Sequence, residues 1–90
     1  MADDIVLSQV TGGYDMKNVL MKHDAYASLL LMIEEGKVSD AVINAELEKV
    51  RQMPLKKAKL LFLPAKGYSI PQTDKHFEAL ELEIQQKIRL

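Results

Sequence analysis

Residues 15–35 read DMKNVLMKHDAYASLLLMIEE, and their periodicity decides the fold. One set of side chains recurs at alternating spacings of three and four, as one face of an α-helix requires: Met16, Val19, His23, Tyr26, Leu30 and Ile33. Because residues 29–33 are apolar without interruption, we expect this helix to be central and covered by the other helices or by a second copy of the chain. Alternatively, Asp24 caps a separate helix and the segment breaks at His23.

A second helix has clear start and stop signals. Gly36 suits the left-handed position that follows a helix. Ser39 is a favourable N-cap residue, and Asp40 lies at the positive end of the helix dipole. Pro54 ends the helix because proline cannot donate the backbone hydrogen bond. Its predicted buried stripe consists of Ile43, Leu47, Val50 and Met53.

Two segments remain ambiguous. Residues 54–63 favour a short helix that begins at Pro54, but residues 60–63 also fit a short buried strand. That strand would pair with residues 5–10, which are rich in β-branched side chains. Residues 5–10 are equally compatible with a loosely ordered arm, which Gly12 and Gly13 would separate from the helices as a flexible break.

The last predicted helix covers residues 74–89, with Thr73 as its cap. Its core-facing stripe consists of Phe77, Leu80, Ile84 and Ile88. Leu82 and Leu90 fall on nearly the opposite side, together with Ala79. Two apolar sides indicate that one packs on the domain and the other on a partner. The alternative is that Leu82 is a single exposed leucine, which is common on protein surfaces.

These elements predict a mainly all-α fold of three to four helices in a small bundle or orthogonal array. Residues 1–13 form an N-terminal arm or short strand, and residues 14–90 form a single helical domain. The hydrophobic content of 48% in 90 residues is typical of a folded protein. The absence of cysteine excludes disulfides and thiolate chemistry. No apolar run approaches the length of a membrane span, so we expect a cytoplasmic protein without a membrane partner.

Catalytic patterns are missing from the sequence. His23 and His76 do not form a metal-binding motif. His23 lies on an apolar helix face and is expected in the core, whereas His76 is expected to face solvent. No serine stands in a nucleophile elbow, and no glycine pattern fits a phosphate loop. We therefore predict no catalytic residue, cofactor site or metal site, and a protein that is not an enzyme.

The charge distribution gives the functional prediction. Residues 49–73 contain six basic residues and no acidic one, although the net charge is −1. We predict a non-enzymatic protein-interaction module, acting as an adaptor, inhibitor, assembly factor or regulatory subunit, and expect a homo-oligomer or a complex with another protein. The predicted contact residues are Leu82 and Leu90 on the helix face, with Arg51, Lys56, Lys57, Lys59 and Lys66 as the basic patch. The alternative is a nucleic-acid-binding regulator that uses residues 49–66.

Overall fold

The structure is a computed structural model that describes residues 6–88. Within that range the chain forms three helices and four short strands: β1 (Gln9–Thr11), α1 (Met16–Glu35), α2 (Asp40–Arg51), β2 (Lys59–Leu60), β3 (Leu63–Pro64), β4 (Lys66–Tyr68) and α3 (Ile70–Ile88). The predicted mainly helical class is confirmed. The strands pair as two small antiparallel ladders, β1 with β4 and β2 with β3.

Helix α1 is continuous through His23, so the alternative with a break at that residue is wrong. The Asp15 side chain caps its start by accepting a hydrogen bond from the Asn18 backbone N–H at 3.0 Å. Gly36 ends it in the left-handed conformation with φ 67°, and its N–H donates to the Met32 carbonyl. The sequence predicted this end correctly because few residues other than glycine adopt that conformation without strain.

Helix α1 lies at the centre of the core, and both α2 and α3 pack against it. Val19 of α1 and Leu47 of α2 have no exposed surface, and neither does Ile84 of α3. The predicted stripe of α3 is buried at all four positions, and that of α2 at three, with Met53 half-buried. Helical periodicity therefore identified the core faces of α2 and α3, since burial follows the face on which a side chain stands. In α1 the predicted stripe is only partly correct, because Leu30 and Ile33 are half-buried and the buried Leu29 was not part of it.

Helix α3 begins earlier than predicted. It starts at Ile70, and the Ser69 hydroxyl accepts a hydrogen bond from the Gln72 N–H at 3.4 Å. Thr73 is therefore not the cap but a fully buried residue of the first turn. Pro71 is accommodated because the first backbone N–H groups of a helix have no intrahelical partner to lose.

Residues 59–64 form a β-hairpin, so the preferred prediction of a helix over residues 54–63 is wrong. Leu60 pairs with Leu63 across its ladder. The alternative of a buried strand is wrong as well, because residues 60–63 are all exposed. The N-terminal segment does contain a strand, but Val10 pairs with Gly67 of β4 rather than with residues 60–63. Ile5, where the predicted strand began, lies outside the described residues.

Close contacts between two backbone segments explain two of the glycines, one that follows β1 and one within β4. Gly13 is buried against the backbone of Tyr68, and Gly67 is buried against the Tyr14 carbonyl. A Cβ atom at either position would collide with backbone atoms. Gly13 is therefore required by close approach of two chain segments and is not a flexible break.

Candidate interaction surface

The β2–β3 hairpin ends in four consecutive apolar residues that the fold leaves in water. Leu60 and Leu63 are 71% and 60% exposed, and Leu61 and Phe62 at the turn are each 85% exposed. We call these four residues the hairpin tip. Contiguous exposed apolar residues are uncommon on monomeric proteins, which makes the hairpin tip a candidate interaction site.

The turn of the hairpin has a backbone conformation that does not suit its residue. Leu61 has φ 60°, and among residues 6–88 it is the one residue other than glycine with a positive φ. A two-residue hairpin turn with positive φ normally carries Gly, Asn or Asp, and the left-handed conformation costs roughly 1–2 kcal/mol for a residue with a Cβ atom. The chain thus carries a leucine at a position where glycine would stabilise the turn.

Four of the predicted basic residues flank this tip in the sequence. Lys56, Lys57, Lys59 and Lys66 are all exposed, and we call them the lysine collar. The ion pairs that the structure describes involve other residues. Among residues 6–88 the collar therefore presents four positive charges without an ion-pair partner, on both sides of an apolar tip in the sequence.

Hydrogen bonds to the start of α1 hold the base of the hairpin. The Lys56 carbonyl accepts from the Asp15 N–H at 2.7 Å, and the Lys56 N–H donates to the Asn18 side-chain oxygen at 3.1 Å. The Ala58 N–H donates to the Gly13 carbonyl at 2.7 Å, and Ala58 is buried. The structure thus anchors residues 56–58, while the tip beyond them projects into solvent.

Arg51 does not belong to the collar, although the sequence grouped it with these lysines. Its guanidinium donates to Glu48 at 3.0 Å and also bonds Glu81 of α3. These two carboxylates raise the pKa of Arg51. The pKa of Glu81 is lowered, because hydrogen bonds from Arg51 and Tyr26 outweigh the effect of burial. Arg51 therefore links α2 to α3 within the fold.

A partly buried polar network lies beside this ion pair. Tyr26 donates its hydroxyl to Glu81 at 3.0 Å, and burial together with that bond raises its pKa to about 12. Lys22 is 9% exposed, and burial lowers its pKa. Its ammonium donates to the Met53 carbonyl at 3.0 Å, just beyond the end of α2. These bonds tie the three helices together, and no sequence motif predicts them.

The two histidines form a pair that the sequence analysis missed. His23 is 2% exposed, as expected of a core residue. His76 does not simply face solvent as predicted, because its Nε2 lies 2.9 Å from His23 Nδ1 and the rings stack at 5.1 Å. Burial and the neighbouring His23 lower the pKa of His76. The bond between the two rings holds α1 against α3, while His23 Nε2 is buried without a hydrogen-bond partner among the described residues.

The predicted helix-face residues are only partly placed by the structure. Leu82 is 54% exposed on α3 and points away from the core stripe. Leu90 lies outside the described residues. Within residues 6–88, no cluster of three or more acidic, His or Cys side chains could hold a metal ion. No helix in that same range is long and apolar enough to cross a membrane.

Comparisons with protein-family models, with curated proteins and with solved structures give no match for this chain. A functional assignment therefore depends on the residues and surfaces of the chain itself.

Proposed function

We propose that this chain is a non-enzymatic protein-interaction module that binds its partner through the hairpin tip and the lysine collar. The observation that carries this proposal is the 60–85% exposure of four consecutive apolar side chains. Transfer of a Leu or Phe side chain from water to an apolar contact is worth about 1.5–3 kcal/mol. A partner that covers the tip would therefore gain a large part of its affinity from it.

The strained turn supports the same proposal. Replacement of Leu61 by glycine would relieve the unfavourable backbone conformation, yet the chain keeps the leucine at a position where it contributes no packing to the fold. Strain at an exposed side chain is characteristic of residues that contact a ligand or partner. The collar adds an electrostatic requirement, because a complementary partner surface would carry carboxylates around its apolar contact.

The alternative, a nucleic-acid-binding regulator, receives less support from the geometry. Phosphate contacts would use the collar lysines, but an anionic backbone would give the four exposed apolar side chains of the tip no favourable contact. Arg51 is already paired with two carboxylates, and arginine is the residue that most often reads base edges. Phe62 offers one stacking surface, whereas the three leucines of the tip offer none.

The test compares two surfaces with matched substitutions. The 90-residue chain would be immobilised in three forms: the wild type, the tip variant Leu61→Ser/Phe62→Ser, and the helix-face variant Leu82→Ser. The proteins that each form retains would be quantified by mass spectrometry. We expect a defined protein that wild type and Leu82→Ser retain and that the tip variant loses at least about tenfold, since 1.4 kcal/mol corresponds to a tenfold change in affinity. Circular dichroism would verify that all three proteins are folded.

Other outcomes select other functions. Loss of the partner by Leu82→Ser alone would place the contact on the helix face that the sequence predicted. Bound nucleic acid that is released steeply by salt would support the nucleic-acid alternative. Equal binding by all three proteins would refute a role for the tip.

A further inference from the structure

The α1–α2 turn carries a surface of opposite character to the hairpin. Three carboxylates are exposed there, those of Glu34, Glu35 and Asp40. Three apolar side chains lie close to these carboxylates in the sequence and are 53%, 39% and 46% exposed: Leu31, Val38 and Val42. We call these six residues the acidic corner.

The acidic corner keeps an excess of negative charge, because Lys37 is the one basic residue between Glu34 and Asp40. Asp40 is stabilised by the positive end of the α2 dipole, whereas the two glutamates are not. Glu34 and Glu35 stand at the negative end of the α1 dipole, and the last turn of α1 contains no basic residue. Acidic residues are unfavourable at that end of a helix. The ion pairs described within residues 6–88 involve none of the three carboxylates. A cationic contact from outside the molecule would relieve this unfavourable arrangement.

The two surfaces lie at opposite ends of α1. The hairpin base is bonded to the first residues of this helix, where Lys56 N–H donates to the Asn18 side chain. The acidic corner begins in its last turn. A helix of 20 residues is about 30 Å long, and the molecule measures 44 Å along its longest axis. The protein thus has a positive apolar end and a negative apolar end.

We infer that the partner of the hairpin tip is a second copy of this chain, bound antiparallel so that each hairpin contacts the acidic corner of the other copy. This inference rests on the proposed function, because it names the partner of the same hairpin site. The collar lysines would then face Glu34, Glu35 and Asp40, while the tip would cover the exposed apolar residues of the corner.

Charge and symmetry select this arrangement over other self-contacts. A tip-to-tip dimer would bring two lysine collars together, which is repulsive. A head-to-tail filament of molecules would leave one tip exposed at its end and would not form a closed oligomer. A two-fold antiparallel dimer repeats the same attractive contact twice and leaves neither surface uncovered, and two-fold dimers are the commonest closed oligomers.

A charge-exchange experiment tests the inference. The mass of the full chain would be measured by light scattering over a concentration series for wild type and for two variants, Lys56→Glu/Lys57→Glu and Glu34→Lys/Glu35→Lys. We expect a wild-type dimer and, for each variant alone, a dissociation constant raised at least about tenfold, because each contact becomes repulsive. An equimolar mixture of the variants should restore the dimer, since both of its contacts are again attractive.

Lys75→Glu is the matched control, because Lys75 is an exposed lysine on α3 that belongs to neither surface. It should leave the dimer unchanged. All substituted residues are exposed, so circular dichroism should show folded proteins. Variants that stay dimeric alone, or a mixture that stays monomeric, would overturn the inference.

Failure of this inference is distinguishable from failure of the proposed function. A wild-type chain that is monomeric at every concentration overturns self-recognition, as does a mass that grows beyond a dimer. The proposed function would still hold if the Leu61→Ser/Phe62→Ser variant then loses a foreign protein partner. It fails together with the inference only if the tip variant binds everything that wild type binds.

Discussion

The helical core and the hairpin tip use the same residue types in opposite ways. Leu47 of the core has no exposed surface, whereas Leu61 at the tip is 85% exposed. Leu47 is flanked by two glutamates in the sequence, whereas Leu61 is flanked by Leu60 and Phe62. The difference is that Leu47 recurs at helical spacing with Ile43 and Val50, while Leu61 belongs to a run without a period. Periodicity, and not hydrophobicity alone, thus decided which apolar residues entered the core.

The largest difference between the two regions should appear in stability. Leu47→Ala removes a fully buried side chain and should lower the free energy of unfolding by about 2–5 kcal/mol. Leu61→Ala removes an exposed one and should lower it by no more than about 0.5 kcal/mol. Urea unfolding of both variants measures the contrast, and similar losses would mean that the tip is packed in solution.

The connection between the two regions should be the next most sensitive point. Gly67→Ala places a Cβ atom against the Tyr14 carbonyl and should lower the free energy of unfolding by about 1–3 kcal/mol, as overpacking does. Gly12→Ala is the control, because nothing lies within 4 Å of its Cβ position, although φ is +80°. A larger loss for Gly12→Ala in the same unfolding experiment would contradict the predicted collision.

One substitution in the hairpin turn should raise the stability of the protein instead of lowering it. Leu61→Gly relieves the positive φ and should raise the free energy of unfolding by up to about 1 kcal/mol. The same variant should bind the partner more weakly, because it removes an apolar contact. Thermal unfolding combined with the binding assay tests both effects, and a variant that gains both stability and affinity would argue against the functional use of Leu61.

The smallest effect expected is a pH dependence in the helical core. The pKa of His76 is lowered in the folded protein, so the unfolded chain binds a proton at a higher pH than the folded chain does. The stability should therefore be complete above the unfolded value of about 6.5 and decline as the pH falls through the folded pKa. The decline from Glu81 should begin at lower pH, because its lowered pKa lies below the ordinary 4.5.

Urea titrations between pH 7.5 and pH 5 would measure this decline. His76→Gln removes the titrating ring and should flatten the curve over that window. A curve that stays equally steep in the variant would assign the dependence to another group.

The sequence predicted the helices better than the interaction surface. Ser39 was identified as a cap, and its hydroxyl accepts the Val42 N–H at 3.3 Å. Thr73 was misassigned because Ser69 and Pro71 together form an earlier start signal. The collar lysines were singled out by their lack of nearby acids, and their role as contact residues stays a prediction. Arg51 was not separable from them, because its partner Glu81 is 30 residues away.

The residues of the hairpin show why the rest could not be derived from local patterns. Residues 55–63 satisfy helical preferences about as well as extended ones. Hydrogen bonds to Gly13, Asp15 and Asn18 decide the outcome, and these partners are about 40 residues away along the chain. A run of apolar residues without period, between lysines and a proline, was the available signal of an exposed turn.

By itself, the sequence determined three amphipathic helices, the core faces of α2 and α3, and the position of the lysine-rich segment, because periodicity and charge are properties of neighbouring residues. Tertiary structure alone decided that residues 59–64 turn outward, that His76 meets His23, and that a positive end and a negative end lie at opposite ends of α1. Those features depend on contacts between residues distant in sequence, since backbone groups of residues 56–58 bond to the start of α1 instead of to their own turn.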